Sequence, residues 1–133
     1  STARANSAAY KLRTDIRYAQ ILAMQTQTRT RIVFNSATST YTLNRETSPG
    51  VWSTVVDPSS HGTYQVVFNT GVYVGVTISA VSLNSGSTLI FDSYGAPFNA
   101  AETALTEPAS VTLSAKYRLD LTAQTGKVSI TIL

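Results

Sequence analysis

Lys11-Leu-Arg-Thr-Asp-Ile-Arg-Tyr-Ala-Gln-Ile-Leu-Ala-Met24, followed by Arg29-Thr-Arg-Ile-Val-Phe34, is where this chain changes its period. Before the change, Ala8, Ala9, Leu12, Ile16, Ala19, Leu22 and Ala23 recur at steps of three and four, which places them on one face of a helix. Arg4, Lys11, Arg13, Asp15 and Arg17 decorate the remaining surface. Asp15 is one turn from Lys11 and pairs with it across that turn; Arg13 and Arg17, two residues away, point elsewhere. No Pro or Gly interrupts residues 1–48, and the helix is expected to fade in the Gln/Thr-rich exit from Gln25 to Thr28. Residues 1–28 therefore read as one amphipathic helix, and residues 29–133 as a β-rich body in the same structural unit. An isolated helix of this length is marginal in water, so packing must hold it. Leu12, Ile16, Ala19, Leu22 and Ala23 are the expected helix–sheet contacts, with roughly 1.5–3 kcal/mol from each large side chain buried.

After the change the period is two. Residues 29–34 and 40–43 form a hairpin across the polar turn Asn35 to Ser39. Arg45 to Gly50 reads as a loop broken by Pro49-Gly50, and Trp52 to Val56 as a short strand. Residues 57–62 are irregular. Tyr64 to Phe68, Val72 to Val81, Thr88 to Phe91, Val111 to Leu113, Tyr117 to Leu121 and Lys127 to Leu133 are strand-like, the last two joined by the turn Thr122 to Gly126. Residues 98–109 read as loop. The expected fold is α+β: a long N-terminal helix packed on one or two antiparallel sheets.

Composition narrows the function classes. At 133 residues this is one domain, and only 13% of residues are charged, against about 25% in ordinary soluble domains. Ser and Thr carry the polarity instead, which suits an extracytoplasmic surface. With no Cys, a disulfide framework, a thiolate metal site and a cysteine nucleophile are excluded. No apolar run approaches the ~18 residues of a membrane span. The net charge of +3 is uneven: seven of ten basic residues precede position 46, opposed there only by Asp15. That face either is simply solvated or meets phosphates or an acidic partner.

Little in the chain suggests catalysis. His61, the one histidine, stands with Asp57, Ser59 and Ser60 in one short stretch, whereas triad members usually come from separate elements. The acidic residues Asp15, Glu46, Asp57, Asp92, Glu102, Glu107 and Asp120 are scattered singly, with no calcium-loop or zinc spacing. No glycine-rich phosphate cradle is present. We therefore expect no enzyme activity, no cofactor, no metal and no small-molecule substrate. The aromatics Tyr10, Tyr18, Tyr41, Trp52, Tyr64, Tyr73, Tyr94 and Tyr117 either pack the strands or build a stacking platform for sugars or bases.

The Lys11 to Met24 segment resembles the helix of minor pseudopilins, the H-type pseudopilin of type II secretion and the related minor type IV pilins. The strand Arg31-Ile-Val-Phe34, the pair Leu89-Ile-Phe91 and Gly95-Ala-Pro97, and the turn Thr125-Gly126-Lys127 follow in that family's order. The likeness runs from about Ala8 to Ile132. It implies a pilin-like fold, a leader and an apolar helix start upstream of Ser1, an anchor in the bacterial inner membrane, a periplasmic globular part, and assembly with other pilins or pseudopilins in a fibre. The segment from Ser1 to Gln27 is then the amphipathic lower half of a longer helix. Some minor pilins take up DNA through a Gly-Arg-x-Arg motif near the C-terminus. Here Gly126-Lys127-Val128-Ser129 keeps one basic position of two, leaving Lys116, Arg118 and Lys127 as the candidate DNA contacts. A third reading, a secreted carbohydrate-binding β-domain built on Trp52 and exposed tyrosines, leaves the helix unexplained.

Overall fold

In the computed structural model, which describes residues 2–133, Thr2–Thr26 form one helix, α1. Ser1, the first residue of the expected helix, lies outside the described residues. The helix buries Ala5, Ala8, Ala9, Leu12, Asp15, Ile16, Ala19 and Ala23. Five of these eight are alanines, so the helix can approach the sheets closely, with Leu12 and Ile16 supplying most of the apolar area. Two expectations need correcting. Leu22 is only half-buried, because position 23 rather than 22 continues the stripe down the helix. Asp15, read as a surface partner of Lys11, is fully buried. The helix stops at Thr26, within the expected exit from Gln25 to Thr28. Gln27 takes a left-handed φ of 55°, the Thr28 N–H reaches back to the Ala23 carbonyl at 3.2 Å, and the Thr26 hydroxyl donates to the Leu22 carbonyl at 2.7 Å. That is a Schellman-type stop built without glycine.

The strands are β1 (Thr30–Asn35), β2 (Thr40–Ser48), β3 (Val51–Thr54), β4 (Gln65–Val67), β5 (Ile78–Ser82), β6 (Thr88–Phe91), β7 (Pro97–Phe98), β8 (Ser110–Leu113), β9 (Tyr117–Leu121) and β10 (Val128–Ile132). All pairings are antiparallel. They form a six-stranded sheet in the order β3-β2-β1-β6-β7, with β4 also pairing β2, and a four-stranded sheet in the order β10-β9-β8-β5. The expected β1–β2 hairpin is present, Asn35 facing Thr40 across the turn. β2 runs on to Ser48 where a loop was expected. Pro49-Gly50 is the two-residue turn into β3, with Gly50 at φ 75°, the type II arrangement.

The run from Val72 to Val81 is not one strand. Gly71–Tyr73 form a 3₁₀ turn, Gly71 and Gly75 take positive φ, and only Ile78 onward pairs. The alternation there is broken by glycines that let the chain fold back, so that Tyr73 meets Phe68 edge-on at 5.1 Å.

α1 lies across both sheets, against β1 and β6 of the first and β8 to β10 of the second. One continuous core joins them, including Leu12, Ile16, Ile32, Phe91, Val111 and Leu119. Hydrogen bonds stitch the layers together. The buried Thr30 hydroxyl donates to the Ala19 carbonyl at 2.7 Å. Gln20 Nε2 donates to the Gly95 carbonyl at 2.9 Å and to the Thr125 carbonyl at 2.7 Å, tying one helix side chain to loops of both sheets. Gly95 (φ 84°) and Gly126 (φ 68°) lie directly under the helix. A Cβ on Gly126 would stand 2.8 Å from Phe91 Cε1, and one on Gly95 3.0 Å from Met24 Sδ. The two glycine motifs noted in the sequence are thus the places where the sheets' loops touch the helix. No helix among the described residues is long and apolar enough to cross a membrane.

Candidate functional site

The residues flanking α1's buried stripe face two different environments. On one flank stand Lys11, Asp15 and Tyr18; on the other, Arg13, Arg17 and Gln20. A helix turning 3.6 residues per turn separates these two triplets cleanly.

On the first flank the Asp15 carboxylate is enclosed. Oδ2 accepts the Tyr41 hydroxyl at 2.6 Å, and Oδ1 accepts the Tyr64 hydroxyl and the Lys11 ammonium, the latter at 3.2 Å. Tyr18 stacks on Tyr64 at 5.6 Å. Burial pushes the Tyr41 hydroxyl well above its ordinary value of 10.0, and the charge of Asp15 adds to it. Tyr64 is raised for the same two reasons, burial first. Every bond Asp15 makes reaches from α1 to the first sheet or along the helix, and a buried charge is tolerable only when satisfied in this way. The cluster is a lock between layers.

On the second flank the helix and the β9–β10 turn enclose an open groove of about 590 Å³ lined by Arg13, Thr14, Arg17, Gln20, Lys127 and Val128, among others. Arg13, Arg17 and Lys127 are exposed, and no carboxylate pairs with any of them among the described residues. Lys127 was expected to act with Lys116 and Arg118, but the three are not gathered. Lys116 lies at the far end of β9, its ammonium 3.4 Å from the Thr2 hydroxyl. Arg118 is on the face of β9 opposite its buried side chains and is bound to Asp120 at 2.7 Å. The partners of Lys127 are instead Arg13 and Arg17. Their spacing of four put them on one side of the helix in the sequence already; their meeting with the C-terminal turn needed the fold.

At the helix exit, by contrast, the charges are paired. Arg29 holds Glu46 through two bonds, Nε to Oε1 at 2.9 Å and Nη2 to Oε2 at 2.6 Å, and also binds Glu102. The bonds from Arg29 bring the Glu46 carboxyl down to about 2, and those from both acids raise the guanidinium of Arg29. Trp52 lies under Arg29 and Arg31 at 5.1 and 4.4 Å.

The aromatics build no common platform. Tyr41, Tyr64 and Tyr117 are buried, and Tyr18 and Tyr73 pack against the core. Of the exposed ones, Tyr10 is mid-helix beneath Arg13 and Tyr94 is in the turn beside Met24, about 20 Å along the helix axis. His61 is exposed in its loop at φ 63°, and the Asp57 carboxylate is taken by the Ser59 N–H and hydroxyl at 2.9 and 2.8 Å, which bring its pKa down. Serine, histidine and aspartate therefore form a turn here, with no relay joining them. Among the described residues no three acidic or histidine side chains are placed to hold a metal ion.

No protein-family model and no curated protein sequence matches the chain. Solved structures do. A crystal structure of the minor pseudopilin EpsH from the type II secretion system of Vibrio cholerae superposes with a TM-score of 0.71 at 12% identity, over 98% of this chain and 94% of that one. A second structure of EpsH from the same system superposes with a TM-score of 0.69 at 12% identity, over 97% and 96%. Across nearly its whole length, then, the chain has the pilin-like α+β fold of the minor pseudopilin EpsH.

Proposed function

We propose that this chain is the globular part of a minor pseudopilin, a non-enzymatic structural subunit of a type II secretion pseudopilus that works by assembly with neighbouring subunits. The observation that carries the reading is the layout of α1. A long helix with one stripe of small residues lies across two antiparallel sheets, in a fold that superposes on EpsH over 98% of this chain. The side-chain chemistry is consistent with it: the buried polar groups, Asp15 and Thr30 among them, tie the helix to the sheets. On this reading an apolar helix start holds the subunit in the inner membrane before assembly, and the globular part stands in the periplasm.

The chain has no Cys, so a single cysteine introduced at exposed Ser7 gives one defined cross-linking point. In the native host, Ser7→Cys should cross-link to other pilin-type subunits, and deletion of the gene should block export of type II substrates while surface pili persist. Loss of pili with intact export moves the subunit to a type IV pilus. A deletion that leaves both systems intact, with no cross-link formed, sinks the proposal.

A further inference from the structure

β10 is the outer strand of the second sheet, and its free edge borders the basic groove. The Lys127 carbonyl accepts the Thr122 N–H and the Leu133 N–H donates to the Lys116 carbonyl. By the alternation of an antiparallel ladder, Ser129 and Thr131 bond inward to β9, while Val128, Ile130 and Ile132 turn their N–H and C=O groups outward. The side chains of these three residues share the face that carries Tyr117, Leu119 and Leu121. Val128 and Ile130 are half-buried there and Ile132 is 75% exposed.

The other sheet edges in the described residues are protected. β7 is two residues long and begins with Pro97, β4 has three residues, and the β2–β3 and β5–β8 pairings carry register shifts. β10 has five regular residues with no Pro, no Gly, no charge and no bulge. Proteins usually blunt such an edge unless it is used.

We propose that the β10 edge and the basic flank of α1 together form a docking groove for an extended, acidic segment of a partner protein. The segment adds to the second sheet as a further strand about 17 Å long, the length of β10. Its backbone pairs with Val128, Ile130 and Ile132, alternate apolar side chains cover that row, and its carboxylates meet Arg13, Arg17 and Lys127. Directional backbone groups and the apolar row favour a peptide over a nucleic acid, which needs only the charges. This surface is independent of the fibre reading.

The test is selection of random ten-residue peptides displayed against the protein, at low salt. Bound peptides should alternate acidic and apolar residues, and titration should slow amide exchange at Val128, Ile130 and Ile132. Arg17→Glu should weaken them about tenfold or more. Ile130→Pro, which removes an outward N–H together with a half-buried apolar side chain of the row, should do the same with the β9 pairing intact; Ile132→Pro, at an exposed position, replaces it if the first variant fails to fold. Failure to select any peptide overturns the proposal, as do peptides indifferent to these substitutions. A single-stranded oligonucleotide that binds through Arg17 equally well in the proline variants, and displaces the peptides, marks a polyanion surface instead. Self-association abolished by Ile130→Pro makes the occupant a second copy and overturns the partner named here.

Discussion

The two flanks of α1 solve the problem of charge in opposite ways. Lys11, Asp15 and Tyr18 face the first sheet, where the one carboxylate of the helix is buried and fully bonded. Arg13 and Arg17 face the second sheet across open space and bond to no acid. The first flank commits the helix to a layer. The second leaves charge available to something outside the molecule. Polar groups are expensive to bury and cheap to expose, so the first flank should carry stability and the second should carry interaction.

Substitution at Asp15 should have the largest effect. Asp15→Ala strands the Tyr41 and Tyr64 hydroxyls inside the protein and should cost about 3–5 kcal/mol in urea unfolding. A loss below about 1 kcal/mol, the worth of an ordinary hydrogen bond, would remove the distinction between the flanks. Next come the loops under the helix. Gly126→Ala forces a side chain into φ 68° and against Phe91, and should cost about 1–3 kcal/mol. Gly95→Ala should cost less, since the flexible end of Met24 can move aside.

Acidity separates the clusters further. Tyr41 and Tyr64 are raised in the fold, so the stability they contribute is complete below 10.0 and is lost as pH rises beyond it, when the unfolded chain ionises first. Tyr64→Phe should therefore lower stability at neutral pH and flatten the alkaline decline. Glu46 is depressed, so its contribution is present above 4.5 and is lost as pH falls toward about 2; Glu46→Gln should flatten that acid limb. Thermal melts across pH read both. Arg13→Ala and Arg17→Ala should have the smallest effect, within about 0.5 kcal/mol of the parent in the same melts. A larger loss would mean that the open flank is structural after all.

Much of this molecule was legible before its fold was known. The amphipathic stripe, the β1–β2 hairpin, the last two strands and their turn all follow from local periodicity and turn chemistry, which neighbours in sequence dictate. What misled was also local. The Val/Tyr alternation after Val72 looks like a strand until Gly71 and Gly75 reverse the chain. Asp15 completes the series 5, 8, 12, 15, 19 on the buried stripe, a signal present in the sequence, yet a carboxylate reads as exposed until its partners are known. Those partners lie 26 and 49 residues away.

The sequence by itself determined that a helix would lie on antiparallel sheets and that no thiol chemistry would occur. It did so because helix and strand periods and amino-acid inventory are properties of the chain alone. Only the tertiary structure decided which charges meet. It moved Lys127 away from Lys116 and Arg118 and set it beside Arg13 and Arg17, and it left the β10 edge open next to them. Contacts across more than a hundred residues depend on how two sheets share one helix, and no local pattern encodes that.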